Sequence, residues 1–177
     1  MSELIKGIYR DCLHDAEGGR LFDSGWRSNM IVMRCRVLIA GLLKDDANES
    51  PLGIQSLKLG RGNSAWDAVP PASADPNTMT QLVDATPYVI PRNALTLRYL
   101  NASNEISNTP TNRLEIIATL GPGEPVPGPS VPSPYPLREF GLFGRLNNTD
   151  YMIDYIRHPL IEKDNAVTLE RRVQLIF

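Results

Sequence analysis

Two histidines, His14 and His158, are the only imidazoles in this 177-residue chain. Nucleophilic catalysis at neutral pH needs such a base beside a nucleophile, with a third group to orient it. His14 falls at the end of the first predicted strand, and His158 stands directly before Pro159 at the end of a later one. Neither lies in a catalytic motif, and each reads as a surface or hydrogen-bonded structural histidine. Asp45, Asp46 and Glu49 form the nearest approach to a metal cluster, but they lack the alternation and glycine of a calcium loop and read as a solvated helix end. Gly60-Arg61-Gly62 has no third glycine, no Gly-Lys-Ser/Thr and no helix after it, so it reads as a strand-ending turn rather than a phosphate cradle.

The remaining polar candidates are charge pairs. Arg138-Glu139 precedes Phe140-Gly141-Leu142-Phe143, and Arg113 and Glu115 flank another apolar pattern. A buried carboxylate paired with an arginine anchors sheet geometry, while the same pair on an exposed face does little. Cys12 and Cys35 are spaced like neither a zinc knuckle nor a redox Cys-x-x-Cys pair, and each is expected to be a reduced, buried thiol. The expectation is therefore a non-enzyme, with no catalytic, cofactor-binding or metal-binding residues and no cofactor.

Composition narrows the partners. With 18 basic and 20 acidic side chains the formal charge is -2, and no stretch gathers enough Lys and Arg for a nucleic-acid backbone, so no nucleic acid is expected. The apolar runs Met30 to Met33 and Val37 to Leu43 are far shorter than the roughly 20 residues of a membrane helix, so no membrane span is expected either. The start Met1-Ser2-Glu3-Leu4 has no signal-peptide pattern, which implies synthesis in the cytoplasm.

The elements that must position these residues are mostly strands. Gly7 to Asp15 and Arg20 to Trp26, joined through Gly18-Gly19, predict a β-hairpin. After the capping candidates Ser28 and Asn29, Met30, Met33, Val37 and Leu38 recur at helical spacing and predict the one substantial helix over 30–43, ended by Asp45 to Pro51. Strands are predicted at 54–59, 94–100, 113–120, 137–146, 151–157 and 168–177, with 94–100 paired to 113–120. A long surface connection spans 63–87, with a helical turn near 79–83. Residues 121–136 hold seven prolines and three glycines and must form an extended, partly polyproline loop. The expected fold is mainly β: an antiparallel β-sandwich or partly closed sheet with one packed α-helix, read as a single domain. Within it the N-terminal hairpin-helix segment covers 1–50 and the core 53–177.

The segment Pro136-Leu137-Arg138-Glu139-Phe140-Gly141-Leu142-Phe143 resembles the Arg-Glu-(Ile/Phe)-Gly-Leu-(Phe/Tyr) strand of the N-terminal domain of phage tail-collar fibre proteins. The order of pieces is similar too. A strand with a glycine turn, Leu57 to Gly62, precedes a Pro- and Thr-rich stretch ending in Gln81-Leu82-Val83. Later come the proline-ended run Met152 to Pro159 and a final strand, Thr168 to Phe177. The resemblance covers roughly residues 53–177, and Asp23-Ser24-Gly25-Trp26 with Asn29-Met30-Ile31-Val32 looks like a segment of other phage tail proteins. It implies a structural component of a phage tail-like particle or contractile injection system: an attachment or adaptor module at the baseplate, collar or neck. The partners would be baseplate, tail or fibre subunits. Family likeness also implies a homo-oligomer, with trimers typical of tail fibres, located in the virion and assembled in the host cytoplasm. The proline loop before Leu137 is not part of that pattern and no fibre shaft follows Phe177, so host recognition is not carried over. Other readings are a capsid decoration or tail-terminator protein, and a small carbohydrate-binding module stacking sugars on Trp26, Trp66 or Tyr135. An enzyme ranks third, and would need a cleft joining His14 or His158 to a carboxylate.

Overall fold

The computed structural model describes residues 5–43, 53–69, 72–128 and 131–177. The chain is mostly β with one α-helix, as the strand patterns predict. In chain order the elements are β1 (Lys6–His14), β2 (Arg20–Asp23), β3 (Arg27–Ile31), α1 (Met33–Leu43), β4 (Gly53–Gly60), β5 (Tyr88–Pro91), β6 (Leu95–Leu100), β7 (Ile106–Ser107), β8 (Arg113–Leu120), β9 (Tyr135–Leu146), β10 (Thr149–Lys163) and β11 (Thr168–Ile176). The helix-ending run Asp45 to Pro51, with the acidic residues Asp45, Asp46 and Glu49, lies outside the described residues.

Contacts divide the chain into two compact units, each assembled from separated stretches: 1–29, 93–135 and 162–177 in the first, 30–92 and 136–161 in the second.

The first unit is an antiparallel sheet in which β11 lies between β1 and β8, and β8 pairs with β6. The predicted hairpin forms from β1 and β2, with Gly18 at φ 84°, a conformation that costs a side-chain-bearing residue energy. The predicted partnership of 94–100 with 113–120 also forms, Leu97 facing Ile116. Alternation decides what is buried: Leu169, Arg171, Val173 and Leu175 turn inward from β11, and Ile116, Ala118 and Leu120 from β8. The strand ends at Ile176, and Phe177 donates its amide to the Asn112 carbonyl.

In the second unit β4 lies between β5 and β9, and β10 follows β9. Asn147 and Asn148, both at positive φ, make the tight turn that joins β9 to β10. Almost all of β9 is buried, which erases the alternation a one-sided strand would show. Val32, Leu82, Phe143, Met152 and Tyr155 form the core cluster.

Several boundaries differ from expectation for identifiable reasons. Met30 and Ile31 belong to β3, where they pair with Tyr155 and Asp154, so ladder bonding overrides the helical spacing and α1 begins at Met33. Ser28 and Asn29 therefore lie within β3 rather than at the start of the helix, and the Met33 amide is satisfied by the Pro76 carbonyl at 2.9 Å. Among the helix residues whose burial is described, Cys35 and Leu38 are buried, while Met33 and Val37 are exposed. The helical turn predicted near 79–83 lies earlier, at a 3-10 turn over Ser64–Asp67 capped by Asn63 and a turn at 75–79 organised by Asp75. Finally, β10 runs through Pro159 to Lys163, because Pro159 and Leu160 sit on an exposed stretch where a missing amide donor is tolerated.

Candidate functional site

A polar cluster of the second unit is built on β9. Arg138 and Glu139 are neighbours on that strand, so their side chains leave opposite faces, and both are buried. They do not pair with each other. Glu139 accepts from the Tyr155 hydroxyl at 2.6 Å, the Asp84 amide at 2.7 Å and the Val83 amide at 3.0 Å. Arg138 donates to both Asp67 carboxylate oxygens, at 2.8 and 2.6 Å, and to the Arg61 carbonyl at 3.0 Å.

A second arginine extends the cluster. Arg61 follows Gly60 at the end of β4, and its backbone amide and its guanidinium both donate to Asp84, at 2.8 and 2.9 Å, while Nη2 also reaches Thr86. Gly60 is required by close approach: a Cβ there would sit 2.6 Å from Glu139 Oε1. Arg157, third of the arginines, donates from Nε to the Tyr155 hydroxyl at 3.0 Å and from Nη1 to the Ala72 carbonyl at 2.9 Å, and lies over the Trp66 ring at 4.9 Å.

The electrostatics follow from these contacts. Burial alone would raise the Asp84 carboxyl, but the Arg61 guanidinium and the amides of Arg61 and Thr86 outweigh it and hold the group at about 2. The Arg138 hydrogen bonds lower the Asp67 carboxyl. Burial, and then the bond to Glu139, push the Tyr155 phenol upward. Every one of these groups is held in the charge state it already prefers at neutral pH. The bonds of this cluster hold the connection between β4 and β5 on the sheet at Asp67, Val83 and Asp84.

No family model, curated protein or solved structure matches this chain.

The sequence candidates are placed as follows. Gly60 to Gly62 forms the strand-ending turn, with Gly62 at φ 56°. His158 is buried in the second unit, its Nδ1 2.8 Å from the Pro159 carbonyl and its ring 6.3 Å from that of Phe140. His14 ends β1 in the first unit, opposite Thr168 and Arg20. Glu115 is buried and pairs with Arg98 at 2.6 Å, whereas Arg113 donates to Asn104. Of the three sugar-stacking candidates Trp26 is exposed, Trp66 carries Arg157 on one face, and Tyr135 is buried, which removes it from that list. Cys12 and Cys35 are free buried thiols, as expected. Among the described residues no group of three or more His, Cys, Asp or Glu side chains is arranged to hold a metal ion. No described helix is long and apolar enough to cross a membrane.

Asp67, Asp84 and Tyr155 had no individual signal in the sequence, because their partners lie 71, 23 and 16 residues away. The same holds in the first unit for Asp11, bound to Arg171 across 160 residues. One signal was legible there: Arg171 occupies an otherwise apolar face of its strand, a position that demands a buried carboxylate.

Proposed function

We propose that this protein is a structural component of a phage tail-like particle, an attachment or adaptor module at the baseplate, collar or neck that works through contacts with neighbouring subunits. The observation that carries the reading is the use made of the Arg138-Glu139-Phe140-Gly141-Leu142-Phe143 strand. The stretches that resemble tail-collar fibre domains, Leu57 to Gly62, Thr78 to Val83, Arg138 to Phe143 and Met152 to Pro159, are joined by one polar network and one apolar core. Leu82 enters that core beside Phe143, and the Val83 amide bonds Glu139. Side chains spent on internal anchoring suit an assembly module, whose function lies in shape and surface rather than in reactive groups. Homo-oligomerisation and a place in a virion belong to the same proposal.

The test is to label this subunit in purified particles and image them by electron microscopy. Label at the collar, neck or baseplate is the expected result. Label spread over a capsid would replace the reading with a decoration protein, and particles without the subunit would overturn it. Glycan-array binding by the isolated chain would instead favour the carbohydrate module.

A further inference from the structure

Residues 72–87 lead into β5, and of these only Leu82 and Asp84 are buried, with Ala74 and Met79 half-buried against the core cluster. Bonds within the stretch are short-range: the Thr78 and Met79 amides donate to the Asp75 carbonyl, and the Thr86 amide to Asp84 Oδ1. It is tied to the rest of the second unit at separated points. Arg157 donates to the Ala72 carbonyl and the Met33 amide to the Pro76 carbonyl, both at 2.9 Å, and the Val83 and Asp84 amides donate to Glu139. A segment with so few buried apolar side chains belongs to the part of a protein that opens most readily.

Leu82 enters a hollow that two glycines leave in the sheet. Gly60 on β4 pairs with Glu139 on β9, and Gly141 stands two residues beyond Glu139, so all three share one face. A Cβ on Gly60 would lie 2.9 Å from Leu82 Cδ2, and one on Gly141 3.3 Å from Leu82 Cδ1 and 2.9 Å from the Asp154 carbonyl. Neither glycine is at positive φ, so what each supplies is the space of a missing side chain. Leu82 refills that space from the segment lying over it. We infer that residues 72–87 form a strap that opens and closes on the sheet as one unit, with Leu82 in the Gly60–Gly141 hollow as its latch. Opening withdraws Leu82 from its cluster with Val32, Phe143, Met152 and Tyr155 and frees Glu139 from two amides, while the β4–β9 ladder stays intact. The strap does not depend on the proposed assembly role.

Native-state amide hydrogen exchange on the full chain tests the strap. Three amides are closed by it from different sides: Met33 at the start of α1, through the Pro76 carbonyl, and Val83 and Asp84, through Glu139. In the wild type the three are expected to share one opening free energy, below that of Phe140 and Leu142 in β9. Leu82→Ala is expected to speed exchange at all three by the same factor, roughly tenfold, and to leave Phe140 and Leu142 unchanged. Acceleration at Val83 and Asp84 without Met33 would show piecemeal opening and overturn the single unit. No acceleration at the three amides, or equal acceleration at Phe140 and Leu142, would overturn the latch. Should Leu82→Ala not fold, Leu82→Val must give the same pattern with a smaller factor. The wild-type comparison decides the unit by itself, since three unequal free energies, or values equal to those of the sheet, refute it.

Discussion

Asp11 and Arg171 face each other as direct partners in the β1–β11 ladder, and the guanidinium donates from Nε at 2.6 Å and Nη2 at 2.9 Å to the two carboxylate oxygens. Their side chains are 1% and 0% exposed, so the pair is withdrawn from water at the centre of the first unit's sheet. The strand that carries Arg171 comes from the far end of the chain, and this bond fixes its register against β1 as well as its face.

Arg171→Met should cost about 3–5 kcal/mol, because it leaves the Asp11 carboxylate buried without its counter-charge. Adding Asp11→Leu should recover most of that loss. Urea denaturation of both single variants and the double variant closes the cycle, and additive losses would show that the pair does not act as a unit.

In the second unit, Glu139→Ala strands two backbone amides and the Tyr155 hydroxyl together, and should lower stability by about 3 kcal/mol. Tyr155→Phe removes one of these bonds and should cost about 1–2 kcal/mol. Once Glu139 is alanine the tyrosine substitution should cost less, since only the bond from Arg157 is left to lose. Equal cost in both backgrounds would contradict a shared network.

Acid should weaken the hold of Asp84 on Arg61. The Asp84 carboxyl titrates at about 2 in the folded chain and near 4 when unfolded. A depressed folded value means that the stabilisation is complete above about pH 4 and drains away as pH falls towards about 2. Asp84→Asn should therefore flatten the acid limb of the stability curve over this window. An identical limb in the variant and the wild type would show that Asp84 contributes nothing to it.

Both thiols should be silent in the folded protein. Burial, reinforced by the charge of Asp154, pushes the Cys35 thiol up to about 11, and burial also raises Cys12. A thiol reagent at neutral pH should label neither cysteine until denaturant is added, and should then label both. Rapid labelling of native Cys35 would mean that the packing between α1 and its neighbours opens readily.

How much of this was legible depended on the range of the interaction. The Gly18 turn, the pairing of 94–100 with 113–120 and the alternation of β11 could be read from residues close in sequence, because period-two burial and turn chemistry are local. The spacing of Met30 and Ile31 fits both helix and strand, and the β10 ladder beside them chooses the strand. Tyr135 could be named as an aromatic but not placed, and it proved to be core.

The sequence by itself therefore determined the β-rich class, the single helix, the two buried thiols and the strand-ending turn at Gly60 to Gly62. Tertiary structure alone decided which charges meet. Arg138 and Glu139 are adjacent in the chain, yet alternation sends them to opposite faces and gives one to Asp67 and the other to Tyr155, Val83 and Asp84. A buried charge announces that it needs a partner, and only the folded sheet brings that partner across tens of residues to within hydrogen-bond distance.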